Sequence, residues 1–174
     1  MVGFAEFKGD GFAENDMLDR SAAVWTDDGA GFLLDPDGQD SPSEVLSISA
    51  DGSVVAGIYG YDGFRWTEED GLVVLPRLET ALPSDPMFPN AIARDGALVL
   101  GGSGDAFSGI PVAFVWSEEA GIRALQDVAV DAGIDVPEGF LFGNVLATST
   151  DGAVILGTGL DEDGFTRSFV LRLP

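Results

Sequence analysis

The chain has 174 residues, of which 45% are hydrophobic and 24 are Gly, and its acidic residues outnumber basic ones 30 to 8, a formal charge of −22. That length carries one domain with a real core, and a surface so acidic repels nucleic acid and anionic membranes. The absence of Cys and His excludes disulfide frameworks, thiol chemistry, Ser-His-Asp and Cys-His dyads, and His-ligated zinc.

No run reaches the length of a transmembrane helix. Val2-Gly3-Phe4-Ala5-Glu6-Phe7 lacks the basic start and long apolar stretch of a signal peptide. It reads instead as the tail of a strand that recurs later, so the chain is expected to begin inside a repeat. The strong negative charge stresses the compact state by self-repulsion. High salt relieves that stress and so do bound divalent cations, leaving a halophilic setting and calcium both open.

The next element is Ala23-Val24-Trp25-Thr26, then Gly29 and Leu33. It returns as Phe64-Arg65-Trp66-Thr67 with Gly71 and Leu75, and as Phe114-Val115-Trp116-Ser117 with Gly121 and Leu125. Two short runs split by a polar loop ending in Gly predict a β-hairpin. Its tip is acidic in each copy: Asp27 and Asp28, Glu68 to Asp70, Glu118 and Glu119. In the last copy, Ser168-Phe169-Val170-Leu171, a Leu replaces the Trp.

Asp51-Gly-Ser-Val-Val-Ala-Gly57 is also written again, as Asp95-Gly-Ala-Leu-Val-Leu-Gly101 and Asp151-Gly-Ala-Val-Ile-Leu-Gly157, with starts 44 and 56 residues apart. Spacings of this size mark a repeat architecture. Before each copy lies a strand with small residues on one face: Ser47 and Ser49, Ala91 and Ala93, Ala147 and Ser149. After each Asp-Gly comes an apolar run without alternation, expected to be a strand buried on both faces. Pro76 to Pro89 reads as loop. Leu125 to Gly133 predicts one or two helical turns stopped at Gly133.

One repeat is therefore four short strands in about 45 residues, the arithmetic of a propeller blade. The expectation is an all-β, propeller-like array of four-stranded antiparallel blades. It has about four blades and about 14 strands, the terminal blades incomplete. It is a single domain over 1–174, with approximate repeats 1–44, 45–88, 89–139 and 140–174. An open arc of blades would leave an apolar end, so closure, self-association or further repeats at the front are expected.

On these residues the chain resembles the HAF-repeat family of extracellular bacterial repeat proteins. The likeness rests on Ser49 to Gly57, on Ala113-Phe114-Val115-Trp116 with Gly121 and Leu125, and most on the C-terminal portion: Ala132 to Asp135, Leu146 to Gly152, Gly157-Thr158-Gly159 and Asp163-Gly164. It covers nearly all of 21–174. The resemblance implies a secreted or surface-exposed, propeller-like module. It also implies that Pro174 is near a natural C-terminus and that earlier repeats and an export signal are missing. Its motifs carry no chemistry.

Candidate sites are few. Asp35-Pro-Asp37-Gly-Gln-Asp40 spaces three carboxylates like part of a calcium loop, without the downstream Glu of an EF-hand. A solvated acidic loop is the plain alternative. Asp161-Glu162-Asp163-Gly164 has the same two readings. Asp51, Asp95 and Asp151 fit turn chemistry better than calcium, since every repeat needs the turn. The three Trp occupy a fixed place in the repeat, which favours packing over a sugar-stacking platform. Tyr59 and Tyr61, among Gly57, Gly60 and Gly63, break the repeat and are the candidate ligand-binding aromatics. Thirty carboxylates make some pair inevitable, so no catalytic residue is singled out and no cofactor beyond calcium is expected. The reading is a non-enzymatic surface module for binding or structure. The alternative is a carbohydrate-binding or carbohydrate-active domain, calcium-dependent in one version, with a glycan partner.

Overall fold

The computed structural model describes residues 2–6, 20–26, 29–34, 41–104 and 111–174, with backbone pairing alone for 2–6. The described residues form an all-β structure of four antiparallel sheets, each built from strands consecutive in the chain. Sheet I holds β1 (Val2–Glu6), β2 (Arg20–Trp25) and β3 (Gly31–Leu33). Sheet II holds β4 (Ser43–Ile48), β5 (Val54–Tyr59), β6 (Asp62–Thr67) and β7 (Gly71–Val74). Sheet III holds β8 (Met87–Ala93), β9 (Leu98–Ser103), β10 (Val112–Ser117) and β11 (Gly121–Ala124). A helix, α1 (Leu125–Asp131), leads to sheet IV: β12 (Leu141–Thr148), β13 (Val154–Leu160) and β14 (Thr166–Arg172).

The last glycine of each Asp-Gly motif meets the same local surroundings. Gly57, Gly101 and Gly157 each lie where an added Cβ would strike a backbone carbonyl of the preceding strand, from Glu44, Phe88 or Asn144, and the ring of Phe64, Phe114 or Phe169. The first strand of each of these three sheets, II, III and IV, is bulged near that carbonyl. A side chain at the glycine would have to displace main chain and aromatic together, which is why each copy of the motif ends in Gly.

The sheets pack face to face in chain order. One core joins Ala22 and Leu34 of the first hairpin to Val55 and Phe64. A second joins Ala56 and Leu75 to Met87, Val99 and Phe114. A third joins Leu100, Ala113 and α1 to Phe142, Val145 and Ile155. Adjacent residues of β5 thus point into different cores: Val55 back toward sheet I, Ala56 on toward sheet III. Val99 and Leu100 divide the same way. Their exposures of 1%, 0%, 0% and 1% are those of strands covered on both faces, as the unalternated runs predict.

Polar bridges follow the same plan. Ala22 N donates to Ser43 Oγ (2.9 Å), Ser47 Oγ to the Pro89 carbonyl (2.9 Å), and Asn90 Nδ2 to Asn144 Oδ1 (3.0 Å). Arg20 pairs with Glu44 between sheets I and II. Of the small residues on the first strands, Ser49, Ala91 and Ala93 are buried, whereas Ala147 on β12 is exposed.

Three expectations need correction. β13 is not covered on both faces: Ile155 is buried at 0%, but Leu156 is 42% exposed. Leu156 holds the place of Ala56 and Leu100, and no described sheet follows to cover it. Pro89 does not lie in a loop. It is inside β8, at the bulge between Phe88 and Ala91, where the ladder needs no N–H. The loop itself is pinned by Arg77, whose guanidinium reaches Asp62 (2.7 Å) and the carbonyls of Leu82 (3.0 Å) and Asp85 (2.7 Å).

The third correction concerns the Asp-Gly turns, which are of two kinds. Ser49 Oγ donates to Asp51 Oδ1 (2.6 Å) and accepts from Val54 N (2.9 Å). Ser149 does the same with Asp151 (2.5 Å) and Val154 (2.9 Å). The equivalent residue in sheet III is Ala93, which has no hydroxyl. There Arg94 and Asp95 take left-handed φ of 51° and 49°, a conformation costing about 1–2 kcal/mol per non-Gly residue. Arg94 N and Nε instead donate to the carbonyls of Thr150 (2.7 Å) and Asp151 (2.9 Å). A local bond lost at one turn is replaced by a bond between sheets.

The helix ends as expected. Gly133, at φ 73°, donates to Val130 O, and Ile134 donates to Ala129 O. That is a Schellman stop, with Ile134 packed on the core that holds Ala129.

Candidate functional site

The hairpin ends of successive sheets make two equivalent grooves. Residues Gly52 to Val54 on one side and Arg65 to Glu69 on the other border a groove of about 780 Å³, with Phe32 of sheet I behind it. Gly96 to Leu98 and Trp116 to Glu119 border one of about 460 Å³. Each is set by the same pieces: an Asp-Gly turn, the Trp strand and the acidic hairpin tip.

The tips are hydrogen-bonded turns. Thr67 Oγ1 accepts from Asp70 N (3.0 Å) and donates to its carboxylate (2.9 Å), and Ser117 Oγ accepts from Ala120 N (3.1 Å). Glu68, Glu69, Glu118 and Glu119 are left exposed at the groove mouths. Trp66 is half-buried and meets Phe32 at a ring-centroid distance of 5.8 Å. Trp66 and Trp116 therefore both pack on the core and offer one side to a groove.

Arg65 belongs to both grooves. It bonds Asp70 at 3.2 Å, and its Nε is buried without a protein partner. Sequence reasoning passed over Arg65 and Phe32. A signal existed for the first: Arg65 stands where Val24 and Val115 stand in the neighbouring hairpins.

Of the residues weighed from sequence, Asp95 lines both grooves, Trp66 the first and Trp116 the second. Asp35, Asp37 and Asp40 lie outside the described residues. No group of three or more metal-ligating side chains occurs among the described residues. Tyr59 is half-buried against the core of Val55 and Phe64. Tyr61 is 61% exposed in the tight turn between β5 and β6, where its carbonyl accepts from Met87 N. The two Tyr are not brought to either groove.

The Asp161 turn is occupied with itself. Asp161 accepts from the backbone of Phe165 (2.8 Å) and Asp163 (3.2 Å) and from Arg167 Nε (2.8 Å). Those bonds, the Phe165 amide first, hold its carboxyl below the usual range. The Ser49 hydroxyl, then the Ser53 amide and hydroxyl, hold Asp51 down to about 2, and the Ser149 hydroxyl lowers Asp151. Bonds made to the charged form keep these groups ionised, the opposite of what a general acid needs. The grooves combine a tryptophan ring with exposed carboxylates and with guanidinium groups, Arg65 in both and Arg94 in the second.

Neither a model of a known protein family nor a curated protein matches this chain.

Proposed function

We propose that the chain is a non-enzymatic, extracellular or surface-exposed repeat module of the HAF type, whose sheets are propeller blades on a rigid acidic scaffold and whose role is binding or structure. The observation that carries the reading is the identity of use across repeats. The same Gly admits the same Phe ring in three sheets, and the residues the repeat preserves serve packing. Its terminal sheets are completed by self-association or by further repeats. Nucleic acid is disfavoured as a partner by the charge of −22.

A second reading is favoured by the groove at Phe32 and Trp66, where aromatic rings stand beside Glu68 and Glu69. Rings with nearby carboxylates suit a sugar, with calcium at Asp35, Asp37 and Asp40 as one version. A glycan array read with calcium and with chelator tests both. The scaffold reading expects no specific signal. Binding abolished by Trp66→Ala would establish the carbohydrate reading, and loss in Asp35→Asn would make it calcium-dependent.

A further inference from the structure

β14 is an edge that the rest of the molecule shows how to cover. In sheets II and III the Trp-bearing strand has a neighbour on each side: β6 lies between β5 and β7, and β10 between β9 and β11. β14 is their counterpart. Phe169 pairs with Gly157 as Phe64 pairs with Gly57, and Leu171 pairs with Ile155 as Trp66 pairs with Val55. Among the described residues β14 has β13 on one side and no strand on the other. Seven residues of backbone are thus presented to pairing.

The side chains of the missing neighbour have a place waiting. In sheet II, Val74 lies opposite Phe64 and Leu72 opposite Trp66; in sheet III, Ala124 lies opposite Phe114 and Ile122 opposite Trp116. In sheet IV the corresponding space beside Phe169 and Leu171 is a mainly apolar groove of about 350 Å³, walled by Ile134, Asp135, Val136, Pro137 and Phe140. The charge at its end also fits. Arg172 pairs with Val154 as Thr67 pairs with Val54, so it marks the end at which an incoming antiparallel strand enters. In sheet II that entry carries Glu68, Glu69 and Asp70, and Asp70 is held by an arginine. Arg172 is exposed and makes no ion pair among the described residues.

We propose that β14 binds an extended peptide strand by antiparallel β-addition, and that the strand it takes has the pattern of β7: acidic residues, then Gly, then apolar residues at alternate positions. Backbone pairing along β14 supplies affinity and the groove beside Phe169 supplies selection. The inference rests on the equivalence of β14 with β6 and β10, and it takes the place of self-association as what completes sheet IV.

The test uses the whole chain and a fluorescent octapeptide of sequence Glu-Glu-Asp-Gly-Leu-Val-Val-Leu, the sequence of residues 68–75, followed by anisotropy at about 0.15 M salt, where repulsion between the acidic chain and the acidic peptide is screened. Saturable binding is expected. It weakens by about fivefold in Arg172→Glu, a surface change that leaves the core intact, and it is lost for a peptide with Lys at both alternate apolar positions. Joining the octapeptide to Pro174 by a flexible linker is expected to raise Tm and to abolish binding of free peptide. Absence of saturable binding, equal affinity in Arg172→Glu, an unchanged Tm in the fused chain, or a β14-mediated dimer that excludes the peptide each overturns the proposal.

Discussion

Glycine serves this chain in two ways that a substitution separates. Gly101 has ordinary backbone angles, and its constraint is the Phe88 carbonyl and Phe114 ring that a Cβ would strike. Gly121 has open space around it but a φ of 68°. Gly101→Ala is expected to cost about 3 kcal/mol, because main chain has to move. Gly121→Ala is expected to cost about 1 kcal/mol, the penalty of left-handed backbone alone. Urea unfolding of the two variants measures the difference. Acid reads another residue-scale feature. Asp51, Asp151 and Asp161 are held below their ordinary values, so they stabilise the fold above the unfolded value of about 3.9 and lose that contribution as pH falls toward 2. The expected profile falls below about pH 4. Ser49→Ala removes the largest cause of the Asp51 shift, and an NMR titration should find the Asp51 carboxyl moved up toward its ordinary value.

At the level of the strand, burial is decided by what lies on either side. Leu100 and Leu156 share a motif position, yet one is 1% exposed and the other 42%. Leu100→Ala is expected to lose about 2–5 kcal/mol, and Leu156→Ala less than about 1 kcal/mol; equal losses would mean that sheet IV is covered in solution. This pair also marks how far the sequence could be read. Val55, Val99 and Ile155 were recognisable as buried because each sits in an apolar run after an Asp-Gly turn. The Gly133 stop was recognisable because helix ends have local chemistry. Leu156 gave no sign of its exposure, since nothing local records whether another sheet follows. The left-handed turn at Asp95 depends on a missing hydroxyl two residues earlier, at Ala93, and on carbonyls of Thr150 and Asp151 more than fifty residues away. The grooves were hidden for a similar reason. Glu68 and Glu69 were visible as a hairpin tip, but Phe32 comes to Trp66 only when sheets I and II stack.

Across the whole molecule the dominant electrostatic fact is a charge of −22. The five ion pairs found among the described residues all involve exposed or half-exposed groups, and such pairs are each worth about 0–1 kcal/mol. Diffuse repulsion therefore outweighs them. Raising NaCl from about 0.05 M to about 1 M is expected to increase Tm by on the order of 5 °C; a fall would show that the ion pairs dominate. Cohesion is also distributed unevenly along the stack. The Arg94 turn clasps the backbone of the following sheet, and α1 lies in the core those two sheets share. A molecule opened gradually by denaturant would therefore shed its first sheet while the portion from Met87 onward persisted as a remnant. The amide hydrogen of Arg94 would then be among the last to exchange with heavy water.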